Sequence, residues 1–203
     1  MIIHPDSLSG KEAYKLMISL IIPRPIAWIS SMNSDGVVNV APFSFFTGVR
    51  SKPPIVAVSI GQGRSGPKDT ARNIEEMGEF VVNLVGEDQA EAMNRTATEY
   101  PYGVSEAEEV GLQLIPSDTI SVPRIAGSPA SLECVLERLI EIGEPPSHLI
   151  LGEVQAYQLR DELPWDRDDG VDPGQMKVIG RLGQSRYAHL TDLFEMDRIK
   201  YQD

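Results

Sequence analysis

Apolar and polar positions change period several times along the chain, and each change marks an element. From Ser9 to Leu20 the apolar residues Ala13, Leu16, Met17 and Leu20 recur at helical spacing. Ser9 and Glu12 stand at capping-box distance, so a helix is predicted over residues 10–20. Pro23 and Pro25 stop it and push Ile22 and Arg24 toward extended geometry. Residues 26–31 alternate and then run apolar. Asn33-Ser34-Asp35-Gly36 is turn chemistry, and Val37 to Ala41 returns as a second strand that ends in Pro42-Phe43-Ser44-Phe45-Phe46. Ser51-Lys52-Pro53-Pro54 breaks the chain before a third strand, Ile55 to Ile60. Three strands on such short links can only form an antiparallel meander, since parallel neighbours need a long crossover.

Beyond Ile60 the Gly-rich stretch 61–66 reads as a loop. Asp69 or Thr70 can cap a helix with Ala71, Ile74 and Met77 on its apolar face and Gly78 as its stop. Phe80 to Val85 reads as a strand and Gln89 to Thr98 as a helix. Residues 99–131 read as irregular, with short strands at Leu112 to Ile115 and Ile120 to Val122. Leu132 to Ile142 fits a strand and a helix about equally. The turn Gly143 to Ser147 and the strand-like run His148 to Tyr157 favour a second hairpin. Leu163 to Gln175 is an acidic loop, and Val178-Ile179 is a short strand. Six or seven strands, several in hairpins, predict a mainly β, closed or nearly closed antiparallel barrel with peripheral helices, because closure removes sheet edges.

The chain has 203 residues and no linker, so one domain over 1–203 is expected. Its net charge of −12, from 18 basic and 30 acidic residues, argues against nucleic acid and is ordinary for solubility. No apolar run approaches a bilayer span, and Met1 to Asp6 lacks the features of a signal peptide. A single cysteine excludes an internal disulfide framework and suits a reducing cytosol, so a cytoplasmic protein is expected.

Gly61-Gln62-Gly63-Arg64-Ser65-Gly66 matches the dinucleotide fingerprint, but Pro67 follows at once and the flanking strands form a meander. A surface loop, or a loop that brings Lys68 and a helix N-terminus to some other phosphate, suits it better. Cys134 alternates with Leu132 and Leu136 and has no nearby base, which marks it as core. His4, His148 and His189 are dispersed, and no metal spacing is present. The cluster Asp161, Asp166, Asp168, Asp169 and Asp172 lacks the terminal glutamate of a calcium loop.

Taken in order, RPIAWISS, Asp35-Gly36, NVAPFSFF, PPIVAVSI, KDTARNI and EFVVNL resemble the flavin reductase-like family of FMN-binding split-barrel proteins. Gly111-Leu112, Ser128-Pro129 with Leu132-Glu133-Cys134, Leu151 to Val154, and Arg181-Leu182-Gly183 with Tyr187 extend the match over roughly residues 12–190. The resemblance implies a six-stranded antiparallel split β-barrel that forms a homodimer with FMN at the interface. It also implies hydride transfer from NADH or NADPH to the flavin, and delivery of reduced flavin or electrons to a partner oxygenase or other acceptor. A flavoredoxin-like electron carrier without nicotinamide activity, or a barrel for a non-redox ligand, are the alternatives.

FMN sets definite requirements. Its phosphate wants basic side chains, hydroxyls and N–H groups at a helix start, which Lys68, Thr70 and the main chain near Asp69 supply, with Arg24 or Arg64 as a second charge. Asp69 would repel a phosphate and is expected to cap the helix or grip Lys68. The flavin ring wants small residues along its polar edge and apolar walls elsewhere. Ala41, Ser44, Thr47 and Ser59 meet the first need, and Trp28, Phe43, Phe45 and Phe46 the second. Pro42 cannot donate to a ladder, so the strand bends or lies at an edge there. His189 could approach a flavin across the interface. No acid–base residue is required, because the cofactor carries the hydride chemistry.

Overall fold

The computed structural model describes residues 1–64, 66–199 and 201. Helix α1 (Gly10–Leu20) opens with the full capping box: Ser9 Oγ accepts from Glu12 N, and Glu12 reaches back to Ser9 N at 2.9 Å. Its apolar face is not buried as the periodicity suggests. Only Ile18 is buried, while Tyr14, Met17 and Leu20 are exposed.

Seven antiparallel strands form the main sheet: β1 (Ala27–Met32), β2 (Val38–Phe43), β3 (Phe46–Ser51), β4 (Pro54–Ile60), β5 (Glu79–Asn83), β6 (Ala130–Ile142) and β7 (Ser147–Leu159), in the order β2-β1-β5-β6-β7-β4-β3. Six of them carry buried positions. The seventh, β3, is an almost fully exposed edge that no apolar alternation marks in the sequence. Ser44 and Phe45 break the chain between the two, so Phe43 and Phe45 do not share a strand face. Pro42 lies in β2, at the other edge, where a missing N–H costs no ladder bond.

The sheet curls. Ala27 and Ile29 of β1, Phe43 of β2, Val56, Val58 and Ile60 of β4, Phe80 and Val82 of β5, Cys134 of β6 and Ile150 of β7 all pack in one cluster. Helix α2 (Asp69–Met77) adds Ala71 and Ile74 and ends on Gly78 in the left-handed region. The ladder stays open between β2 and β3, which gives the split barrel. On the outer face of β1 a second cluster joins Ile26, Trp28 and Val40 to Met93 of α3 (Ala90–Arg95), Ala107 of α4 (Glu106–Val110), Ile125 and Ile179. Strand β1 is therefore buried on both faces, and its sequence, Ala27-Trp28-Ile29-Ser30-Ser31-Met32, shows no alternation of apolar and polar residues.

The ambiguous stretch 132–142 is strand throughout. The register shift at Leu136/Arg138 moves the core-facing set from Leu132, Cys134 and Leu136 to Leu139, which blurs the period of two. Leu114–Ile115 pairs with Arg124–Ile125, not with residues 120–122, which form bends. The helix expected over 89–98 is shorter, entered by a 3-10 turn at Glu87–Gln89. The acidic loop holds a ribbon, Trp165–Asp166 with Gly170–Val171, and Ile179–Arg181 pairs with Tyr187–His189. Among the described residues no helix is long and apolar enough to cross a membrane.

Candidate functional site

A cleft of about 370 Å³ opens where β2 meets the start of α2. Asn39, Ala41 and Pro42 of β2 form one side. Lys68, Asp69 and Thr70 form another, and residues 96–101 with Glu106 close it. Lys68 is the N-cap of α2 and no side chain caps the helix, so the N–H groups of Asp69 and Thr70, both residues that line the cleft, have no intrahelical partners. Thr70 Oγ1 accepts from Asn39 Nδ2 at 2.8 Å and keeps its own hydrogen to donate. Asp69 neither caps the helix nor grips Lys68; it is the first helical residue and lies 3.4 Å from Arg72. The Gly61–Gly66 motif is not a helix start: Gln62–Gly63 and Gly66–Pro67 make a short ribbon, and Ser65 lies outside the described residues.

Three carboxyls share this cleft, two of them in ion pairs and one buried. Glu99 lies 2.9 Å from Arg64, and Asp69 has Arg72. Glu106 is buried and accepts from Val40 N at 3.0 Å. Burial pushes the Glu106 carboxyl above its ordinary range, against the pull of the Val40 N–H and helped by Asp69. Burial likewise raises Asp69, opposed by Arg72. Lys68 has no carboxylate partner among the described residues, and its ammonium sits 5.6 Å from the Phe43 ring centre.

A second void of about 230 Å³ shares Pro42 and Ala97 with the first. Arg24, Phe43, Ser44, Tyr14, Arg181 and Tyr187 line it. Arg24 is 4% exposed and acts as a clamp rather than a free charge: Nη1 donates to Ile18 O and Ile21 O at the end of α1, Nη2 to Leu182 O, and Nε to Ser44 Oγ. Those carbonyls carry the negative end of the helix dipole, a natural seat for a guanidinium.

The anticipated site residues thus fall into two groups. Ala41, Pro42, Lys68, Asp69 and Thr70 surround the larger cleft, and Arg24, Pro42, Phe43 and Ser44 the smaller. Phe45 lies beside Tyr14, with ring centres 6.4 Å apart, and its carbonyl accepts from Ser59 N at 2.8 Å. The others stand apart. Trp28 is 0% exposed, packs in the second core and donates from Nε1 to Thr96 Oγ1, so it offers a ligand no surface. Thr47 is exposed on β3. His189 lies at the surface with Nδ1 2.9 Å from Glu87 Oε1 and lines neither void. Glu106, Asn39, Thr96 and Thr98 went unnoticed in the sequence; only their fold neighbours bring them to the cleft.

An antiparallel split barrel with a cation, a hydroxyl and an uncapped helix start at one corner defines a class of small-ligand barrels. The chain matches the flavin reductase like domain over residues 18–169 and belongs to that family. It superposes on nitrilotriacetate monooxygenase component B of Bacillus cereus with a TM-score of 0.91 and 37% identity, covering 97% of this chain and 98% of that one. Against the 2-nitrobenzoate 2-nitroreductase of Pseudomonas fluorescens the TM-score is 0.90 and the identity 33%, covering 100% and 98%. A split-barrel domain protein of Shewanella frigidimarina gives 0.86 at 18% identity, covering 98% and 100%, and shows the fold alone.

Proposed function

We propose that the chain acts as one domain that binds FMN in the larger cleft and works in the cytoplasm as an NAD(P)H-dependent flavin reductase. The carrying observation is the phosphate-type lining: Lys68 without a carboxylate partner among the described residues, Thr70 with its hydroxyl, and the uncapped start of α2 all border the same cleft. The donor set suits a phosphate dianion, and the pairing of Asp69 with Arg72 and of Glu99 with Arg64 offsets part of the opposing charge. Ala41 and Pro42 leave room beside the β2 main chain for a flat ring. Once bound, the flavin supplies hydride acceptance and onward electron delivery. This chain's residues hold the phosphate, set the ring against β2 and shield one face from water.

The exposed apolar side chains of Tyr14, Met17, Leu20, Ile21 and Ile22 lie on α1 and its exit, and Tyr14 borders the smaller void. Cover by a second copy would bury them and close the smaller void beside the flavin, which supports a homodimer with FMN at its interface. The relative named as a monooxygenase component B supports a partner oxygenase as the acceptor. The test is an absorption spectrum of the protein as purified and after FMN addition, then anaerobic titration with NADH and with NADPH. Flavin bands that bleach on titration are expected. Bands that persist would leave an electron carrier without nicotinamide activity, and a protein that stays colourless would refute FMN binding.

A further inference from the structure

The two voids have opposite electrostatic character. The larger is lined by Asp69, Glu99 and Glu106 alongside its cations, whereas the smaller has Arg24 and Arg181 and no Asp or Glu among its lining residues. In a chain of net charge −12 that is a strong local exception. The two arginines are locked together by the main chain: Arg24 N donates to Arg181 O at 2.9 Å and Arg181 N to Arg24 O at 2.8 Å. Neither is ion-paired among the described residues. Arg181 also lowers the pKa of Arg24, after burial and against Tyr14, so the cations feel one another. Like charges held this way are relieved by an anion between or beside them.

The donors differ in readiness. Arg24 gives its hydrogens to Ser44 and three carbonyls. Arg181 gives one, from Nη2 to Gln184 O at 2.6 Å; Nε and Nη1 have no acceptor among the described residues. Its guanidinium lies 4.4 Å from the Tyr187 ring centre, and Tyr187 reaches Asn94 Oδ1, which steadies the stack. Tyr14 and Phe43 add aromatic surface. The void of about 230 Å³ lies below the roughly 300 Å³ at which sites for drug-sized ligands begin, so one ring fits and a dinucleotide does not.

We propose that this slot binds a single-ring aromatic carboxylate, its carboxylate on Arg181 and its ring among Tyr14, Phe43 and Tyr187. Pro42 and Ala97 are the shared wall, so such a ligand sits beside the larger cleft as a second reactant; that placement rests on the flavin reading above.

Calorimetric titration of the full chain with sodium benzoate and with benzamide, before and after FMN loading, tests the proposal. Benzoate should bind saturably in both states, and the uncharged amide about tenfold or more weaker, since the charge-assisted contact is lost. Arg181→Gln should abolish the preference for the carboxylate, whereas Arg160→Gln, which removes an equal charge from an exposed pair, should leave it unchanged. If Arg181→Gln does not fold, Tyr187→Leu takes its place and should weaken benzoate while FMN retention holds. Equal binding of benzoate and benzamide, no binding of either, or displacement of FMN by benzoate would each overturn the proposal. A protein that holds benzoate but takes up no FMN would instead defeat the flavin reading and leave the anion slot standing.

Discussion

Lys68 holds its ammonium 5.6 Å from the centre of the Phe43 ring, at the junction of α2 and β2. The ring positions the cation without neutralising it, because an aromatic face attracts charge but donates no counter-ion. Lys68→Ala should therefore weaken FMN binding by about 10- to 100-fold, the equivalent of a charge-assisted hydrogen bond of ~1.5–3 kcal/mol. Lys68→Arg should retain most of the affinity. Fluorescence titration of riboflavin phosphate against riboflavin checks the assignment: the loss must appear with the phosphate ester and vanish with the plain alcohol.

Glu106 is the one buried carboxyl of the cleft, and its raised pKa, caused first by burial, makes its charge a liability to the fold. A carboxyl raised in the folded state stabilises the fold fully below its unfolded pKa, and that stability is lost as pH rises through the folded value. Glu106→Gln keeps an oxygen for the Val40 N–H and removes the charge. The variant should gain stability at pH 7, the gain should disappear near pH 4, and FMN retention at pH 7 should improve. Urea denaturation at the two pH values would expose the opposite sign at once.

What could be read from the sequence was local. The Ser9–Glu12 box and the Asn33–Gly36 turn depend on neighbours a few residues apart, and both form as anticipated; Asn33 Oδ1 accepts from Asp35 N and Val37 N. Strand β3 was hidden because Phe46–Ser51 is exposed and shows no apolar alternation. Trp28 reads as a ligand wall from sequence because a strand buried on both faces gives no clue to which side each residue takes. Arg24 resisted reading for another reason: one of its acceptors, Leu182 O, lies 158 residues away in sequence. Glu106 stands beside Glu108 and Glu109, and only the fold shows that it turns inward while they stay in water.

Glu133 is 0% exposed yet charged, because Asp118 N, Thr119 N, Thr119 Oγ1 and Gln158 Nε2 all donate to it. Burial opposes the charge, but the hydrogen bonds outweigh it and the pKa is lowered. Stability from a lowered carboxyl is present above its unfolded pKa, 4.5, and lost as pH falls through the folded value. Glu133→Gln turns an acceptor into a donor facing donors, and should cost about 2–4 kcal/mol at pH 7. The deficit should shrink below pH 4.5, a trend that acid titration of both proteins by circular dichroism would reveal or deny.

Gly152 of β7 lies under the Phe80 ring. A Cβ there would overlap Phe80 Cζ and lie 3.3 Å from Cys134 Cβ. Phe80 is 0% exposed and in the centre of the barrel core, so the ring has little room to retreat. Gly152→Ala should destabilise the protein by about 1–3 kcal/mol through overpacking. Gly152→Ala combined with Phe80→Leu should recover part of the loss, which a double-mutant cycle measures directly.

Cys134 completes that contact, and burial, aided by Glu133, pushes its thiol up from 9.0 to about 12. Above 9.0 the unfolded chain releases the thiol proton while the folded chain keeps it until about 12, so the unfolded state binds fewer protons and stability falls as pH rises through that window. Cys134→Ala leaves a small cavity and should be less stable at pH 8, with FMN retention unchanged because the thiol lines neither void. Its disadvantage should narrow by up to about 1.4 kcal/mol per pH unit once the thiol value of 9.0 is passed. Paired denaturant titrations from pH 8 upward decide the matter: a gap that stays constant would mean that the thiol ionises in place, and the core around Phe80 would then have to admit water.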